Sequence, residues 1–98
     1  MDKFRIKEVK NERVSSNGEK ASWFYPQVKG SLWFYRNIKP SEMPGDEFSG
    51  FVVRFAQLSS AMNFLHRYAE VKGIERKKQE IGVRYHSDET IIHEVKGW

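Results

Sequence analysis

The chain of 98 residues contains no cysteine, which excludes a disulfide framework, a cysteine nucleophile and any zinc site built on thiolates. Nowhere do apolar residues run to the ~18 in succession at which a helix becomes long enough to cross a bilayer. Met1-Asp2-Lys3-Phe4-Arg5 lacks the apolar stretch of a signal peptide. These absences lead to the expectation of a soluble, unexported protein of the cytoplasm with no membrane partner.

Signatures of chemistry are equally scarce. Gly45, Gly50 and Gly73 fall in no Gly-x-Gly pattern, and no Walker-type lysine motif occurs. Ser15, Ser16, Ser59 and Ser60 lie in no nucleophile-elbow pattern. Of the three histidines, His66, His86 and His93, no two stand at helical ligand spacing and no His-Glu-x-x-His motif is present. His93 and Glu94 are adjacent on an expected strand, so their side chains point to opposite faces and cannot form a relay together. Asp46-Glu47 and Asp88-Glu89 are paired acids in turn-forming stretches, where carboxylates stay ionised and wet. The chain therefore reads as no enzyme, with no cofactor and no metal site.

Charge of one sign is not abundant either. Seventeen Lys and Arg stand against 13 Asp and Glu, a net charge of +4, which permits an anionic partner without requiring one.

Aromatic residues are what the chain has in plenty. Ser22-Trp23-Phe24-Tyr25 and Leu32-Trp33-Phe34-Tyr35 repeat one tripeptide ten residues apart. Aromatic and β-branched residues favour strands, and Lys29-Gly30 supplies turn chemistry, so the segment reads as a β-hairpin. A two-residue loop at Lys29-Gly30 would set Val28 opposite Ser31, Phe24 opposite Tyr35 and Tyr25 opposite Phe34. One face would carry Phe24, Pro26, Val28, Trp33 and Tyr35; the other Trp23, Tyr25, Gln27, Leu32, Phe34 and Arg36. A two-layer domain needs only one face against its core. The face holding Gln27 and Arg36, costly to bury unpaired, is assigned to a partner. Trp23, Tyr25, Gln27, Phe34 and Arg36 are thus the candidate binding residues, of types prominent at protein interfaces. In the competing reading the second face packs on a loop or a second copy of the chain.

The remaining elements follow from periodicity. Phe4 and Ile6, with Val9, alternate with Lys3, Arg5 and Lys7 in a first strand with one wet, basic face. Asn17-Gly18 turns the chain into strand two, which begins near Lys20. Pro26 cannot donate to a ladder, so its strand is locally an edge or bulged. Strand three runs to Ile38, and 39–47 is a loop. Phe51-Val52-Val53-Arg54-Phe55 reads as a fourth strand, in preference to a longer helix from Glu47. Leu58, Ala61, Met62, Leu65, Tyr68 and Ala69 recur at three- and four-residue spacing, which predicts a helix over 58–72. Ser59 is a candidate cap and Gly73 the stop. A solvated connection over 75–80 leads to a second hairpin, with Ile81, Val83 and Tyr85 on one strand and Ile91, His93 and Val95 on the other. The expectation is one α+β domain over 1–98. Its small, mainly antiparallel sheet has about five to six strands in the order β-β-β-β-α-β-β and is covered on one face by a single main helix.

Basic residues offer a second kind of contact. Lys29, Lys72, Arg76, Lys77 and Lys78 could meet phosphates while the aromatics stack bases, which makes nucleic acid the alternative partner. A solvated charged face is the competing reading, and a homodimer closing over the surplus aromatic face is a third possibility.

Tyr25-Pro26-Gln27-Val28-Lys29, Trp33, Asn37, Leu58 through Tyr68 and Ile91-Ile92-His93-Glu94-Val95 together resemble short accessory proteins of bacteriophages and bacterial mobile elements. The resemblance implies a stand-alone protein that engages or inhibits a host or defence protein in the host cytoplasm. It supplies no catalytic residues.

Overall fold

Alternation of Phe4 and Ile6 with Arg5 and Lys7 builds the central strand. In the computed structural model, which describes residues 4–30, 34–39, 53–73, 80–86 and 89–96, β1 runs Phe4–Val14 and β2 Lys20–Lys29. They are followed by β3 (Tyr35–Asn37), α1 (Leu58–Val71), β4 (Glu80–His86) and β5 (Thr90–Lys96). The fold is α+β. Its five strands lie in the order β3-β2-β1-β5-β4, every neighbouring pair antiparallel.

The periodicity of α1 matches its packing. Ala61, Phe64, Leu65, Tyr68 and Ala69 are buried, and Leu58 and Met62 pack at the margin. Gln57, with extended backbone, is the N-cap; no side chain caps the first turn, so Ser59 does not have the role its position suggested. At the other end Gly73 adopts φ +69, a left-handed stop that costs glycine nothing, and its N–H donates to Glu70 O at 3.1 Å. The helix lies on β1 and β2. Beneath it Phe4, Ile6, Val28, Ile38, Val53 and Val95 complete the core. Each such side chain contributes about 1.5–3 kcal/mol by leaving water.

Further sequence expectations change. The first hairpin is longer than a two-residue loop allows: Tyr35 pairs with Lys29, Arg36 with Val28 and Asn37 with Gln27. Tyr35 thus sits five residues along β2 from Phe24, its expected partner. An odd displacement turns every side chain of β3 to the other face. Arg36 therefore shares the face of Val28, not of Gln27, while Tyr35 and Asn37 join Trp23, Tyr25 and Gln27. Burial of Ile38 drives this register, because it brings Ile38 under the helix with its N–H on Pro26 O at 3.2 Å. Phe34 lies just ahead of β3, 64% exposed, its carbonyl accepting Gly30 N–H at 2.8 Å.

The expected fourth strand reduces, among the described residues, to one antiparallel bridge in which Phe24 and Phe55 exchange both backbone hydrogen bonds. Pro26, which has no N–H to offer, falls between that bridge and β3. Phe51, Val52, Trp33, the loop over 40–47 and Arg76, Lys77 and Lys78 lie outside the described residues. Val9 stands on the basic face with Arg5 and Lys7, in register with Trp23 rather than over the core.

Candidate functional site: the sheet face opposite the helix

β1 places Arg5, Lys7 and Val9 on the face away from α1, and β2 places Trp23, Tyr25 and Gln27 beside them. β3 adds Tyr35 and Asn37. β5 adds Thr90, Ile92 and Glu94 to the same face, where Tyr25, Gln27 and Ile92 are buried, and α1 lies on the other side. Two backbone irregularities bring in the rest. Between Val9 and Arg13 the register of β1 slips against β2, with Asn11 in the left-handed region at φ +61. This bulge lets Glu12 reach back to the hydroxyl of Tyr25. The Phe24–Phe55 bridge turns Phe55 toward Phe64 of the helix (ring centroids 5.5 Å apart) and leaves Arg54 to the opposite side.

Two polar groups of side chains hold the face. Arg5 Nε donates to Gln27 Oε1 at 2.7 Å, and Gln27 Nε2 donates to Asn37 Oδ1 at 2.7 Å. Gln27 is therefore satisfied although only 6% exposed. The guanidinium of Arg5 sits 4.3 Å from the ring centre of Tyr35, and that of Arg54 sits 4.1 Å from Trp23. Arg13 approaches Trp23 at 5.8 Å and donates to Ser22 O. Tyr25 Oη donates to Glu12 Oε1 at 2.5 Å, and Arg54 stands 3.8 Å from the same oxygen. Lys7, Val9, Glu12, Tyr25, Asn37 and Arg54 surround an open cleft of about 440 Å³.

Burial pushes the Tyr25 phenol above its ordinary value of 10.0, and the Glu12 carboxylate reinforces the shift against an opposing contribution from Arg54. A raised folded-state value favours the protonated phenol. Its stabilisation is complete below pH ~10 and is lost as the pH rises through the folded value. Denaturation midpoints of the wild type should therefore fall more steeply above pH ~10 than those of Tyr25→Phe. Parallel alkaline slopes for the two proteins would contradict the Tyr25–Glu12 pair.

A second polar cluster lies on the helix side of the sheet. Glu8 accepts from Ser22 Oγ at 2.6 Å through one oxygen and meets His93 Nε2 at 2.8 Å through the other. The ring of His93 is 6.1 Å from that of Phe24. The carboxylate stands between hydroxyl and imidazole, an order in which the imidazole has no contact with the hydroxyl it would need to deprotonate. The chemistry available is a buried tie between β1, β2 and β5. As alternation requires, Glu94 points the other way.

Of the candidate binding residues, Trp23, Tyr25 and Gln27 come together. Arg36 lies on the opposite face, and Phe34 stands exposed at the end of the hairpin. Tyr25 is only 9% exposed, so it supports the face more than it presents itself. Of the basic set, Lys29 lies opposite Tyr35. Lys72 stands at the helix end, its ammonium 5.6 Å from the ring of Tyr68. Arg5, Lys7, Glu12, Tyr35, Asn37 and Arg54 escaped the list of candidates. The alternation in β1 signalled Arg5 and Lys7, whereas the others depend on a bulge, a register and a bridge. No group of three or more His, Asp or Glu among the described residues is placed to hold a metal ion, and no described helix is long and apolar enough to cross a membrane. No protein-family model, no curated protein and no solved structure matches the chain.

Proposed function

We propose that the chain is a small non-enzymatic binding protein that engages a partner protein through the sheet face opposite α1. One observation carries this reading: Trp23 and Tyr35 share with Arg5, Arg13 and Arg54 the sheet face on which α1 does not lie. Trp, Tyr and Arg are the residues that dominate protein-interface hot spots, because each offers a large contact area and a polar handle. Held in place by stacking and by the Arg5–Gln27–Asn37 hydrogen bonds, they lose little freedom on binding. The resemblance to phage and mobile-element accessory proteins gives this surface a natural object: a host or defence protein, engaged or inhibited in the host cytoplasm.

Truncating Trp23 to Ala should weaken that complex by ~1–3 kcal/mol. Comparative capture from host lysate followed by titration of the recovered partner measures it. Equal affinity of wild type and variant would sink the reading. A second copy of the chain as the partner would show instead as a mass that changes with dilution.

Nucleic acid is the second reading, favoured by the convergence of Arg5, Lys7, Arg13, Lys29 and Arg54 on a face that also holds rings. It ranks lower because guanidinium groups already lie over Trp23 and Tyr35, where a base would have to stack. Direct titration separates the two: a nucleic-acid complex forms at low salt and weakens steeply with ionic strength as counterions are released, and failure of the protein to shift single- or double-stranded nucleic acid at low salt removes this reading.

A further inference from the structure

We propose that the cleft between Lys7 and Arg54 receives a carboxylate side chain from an acidic segment of the partner, an inference that rests on the docking reading above and deepens it. The groups bordering the cleft are mostly donors. The ammonium of Lys7 forms no ion pair or hydrogen bond with any described residue, so it is available to a ligand. Asn37 is oriented by the chain of hydrogen bonds that begins at Arg5: Gln27 Nε2 occupies its Oδ1, which leaves its Nδ2 to donate. Because each bond in such a chain polarises the next, the amide at the end is a better donor than an isolated one. Arg54 contributes a planar guanidinium with several N–H groups; its face lies on Trp23 at 4.1 Å and one nitrogen stands 3.8 Å from Glu12, which leaves further N–H groups to donate.

Among the described residues Glu12 is the one acid on the rim, and its Oε1 is already taken by the Tyr25 hydroxyl and Arg54. Among these residues two cations stand against one carboxylate, an excess of one positive charge. A carboxylate neutralises it. A phosphate, carrying about −1.5 to −2 charges at neutral pH, would overshoot and be repelled by Glu12. Planar donors on Arg54 and Asn37 also suit the two coplanar oxygens of a carboxylate. About 440 Å³ of open space holds an acidic side chain and part of its backbone. Val9 supplies an apolar wall for the methylene groups.

The test titrates N-acetylated tetraglutamate into the isotope-labelled 98-residue chain and follows amide chemical shifts, with tetraglutamine and inorganic phosphate in parallel. The expected result is saturable shifts centred on Lys7, Tyr25, Asn37 and Arg54 with tetraglutamate and none with tetraglutamine. Lys7→Gln should weaken this binding about tenfold or more, Lys7→Arg should largely restore it, and Lys20→Gln should leave it unchanged. Each variant's dispersed spectrum reports its folding directly. Tighter binding of phosphate than of tetraglutamate overturns the proposal, as does indifference to Lys7→Gln. Shifts scattered over Lys20, Arg67 and Lys72 also overturn it, since they would show general charge attraction. The two readings fail separately. Loss of partner capture by Trp23→Ala without any response to tetraglutamate defeats the cleft alone, whereas a Lys7-dependent response upholds the cleft even if Trp23→Ala still captures the partner.

Discussion

Replacing Phe4 by Ala should cost about 3–5 kcal/mol, the largest loss expected from any substitution considered for this chain. Phe4 is fully buried on the central strand, with Val28 on one side and Val95 on the other. Tyr68 of the helix meets its ring edge-on, centroids 5.9 Å apart at 89°. Removing the ring forfeits its transfer from water, the edge-to-face contact and the dispersion of every neighbour left facing a void. Strands on both sides hold the backbone of β1, so the site cannot collapse to fill the space. A domain of this size has roughly 5–15 kcal/mol of stability in all, and each kcal/mol lost lowers its melting temperature by about 4–8 °C. Thermal and urea denaturation measure the effect. Phe34→Ala, at an exposed ring of the same type, should stay within ~0.5 kcal/mol of wild type. A similar loss for both would mean that Phe4 does not occupy the core.

The second large effect belongs to Glu8. Glu8→Ala should destabilise by about 2–4 kcal/mol, because it strands the hydroxyl of Ser22 and the Nε2 of His93 in a site with little water. The side chains of His93 and Glu8 are only 11% and 15% exposed, so solvent is a poor substitute partner. Glu8→Gln separates hydrogen bonding from charge. The amide oxygen can still accept from Ser22, and the amide NH₂ can donate to His93 once the imidazole takes the tautomer with a bare Nε2. Its cost should stay below ~1 kcal/mol. Urea titrations of the two variants give the comparison. A glutamine variant as damaged as the alanine one would show that the negative charge, not the pair of hydrogen bonds, holds the three strands together.

This cluster shows how part of a site can be legible while its use is not. Alternation along 90–95 correctly sent His93 and Glu94 to opposite faces and denied them a joint role. It carried no information that Glu8, 85 positions away in sequence, would become the partner of His93. The same division holds for the open face. Phe4-Arg5-Ile6-Lys7 reads as a half-wet basic strand, and it is one. That Arg5 would polarise Gln27 and Asn37 depends on two ladders meeting in register.

By itself the sequence determined whatever depends on neighbours a few positions apart. Recurrence at three and four residues produced α1, whose bounds fall within one residue of expectation. Alternation produced β1, β2 and the second hairpin, and with one helix to five strands among the described residues a sheet face opposite that helix was implied. The tertiary structure alone decided which side chains meet on that face. It set β3 in the register that buries Ile38, bulged β1 at Asn11 to swing Glu12 over Tyr25, and bridged Phe55 to Phe24 so that Arg54 covers Trp23. The reason is physical. A side chain's periodicity is encoded in its own strand, but pairing between strands is chosen by the whole core, and one odd step in that pairing exchanges every residue of a strand between the buried and the open side.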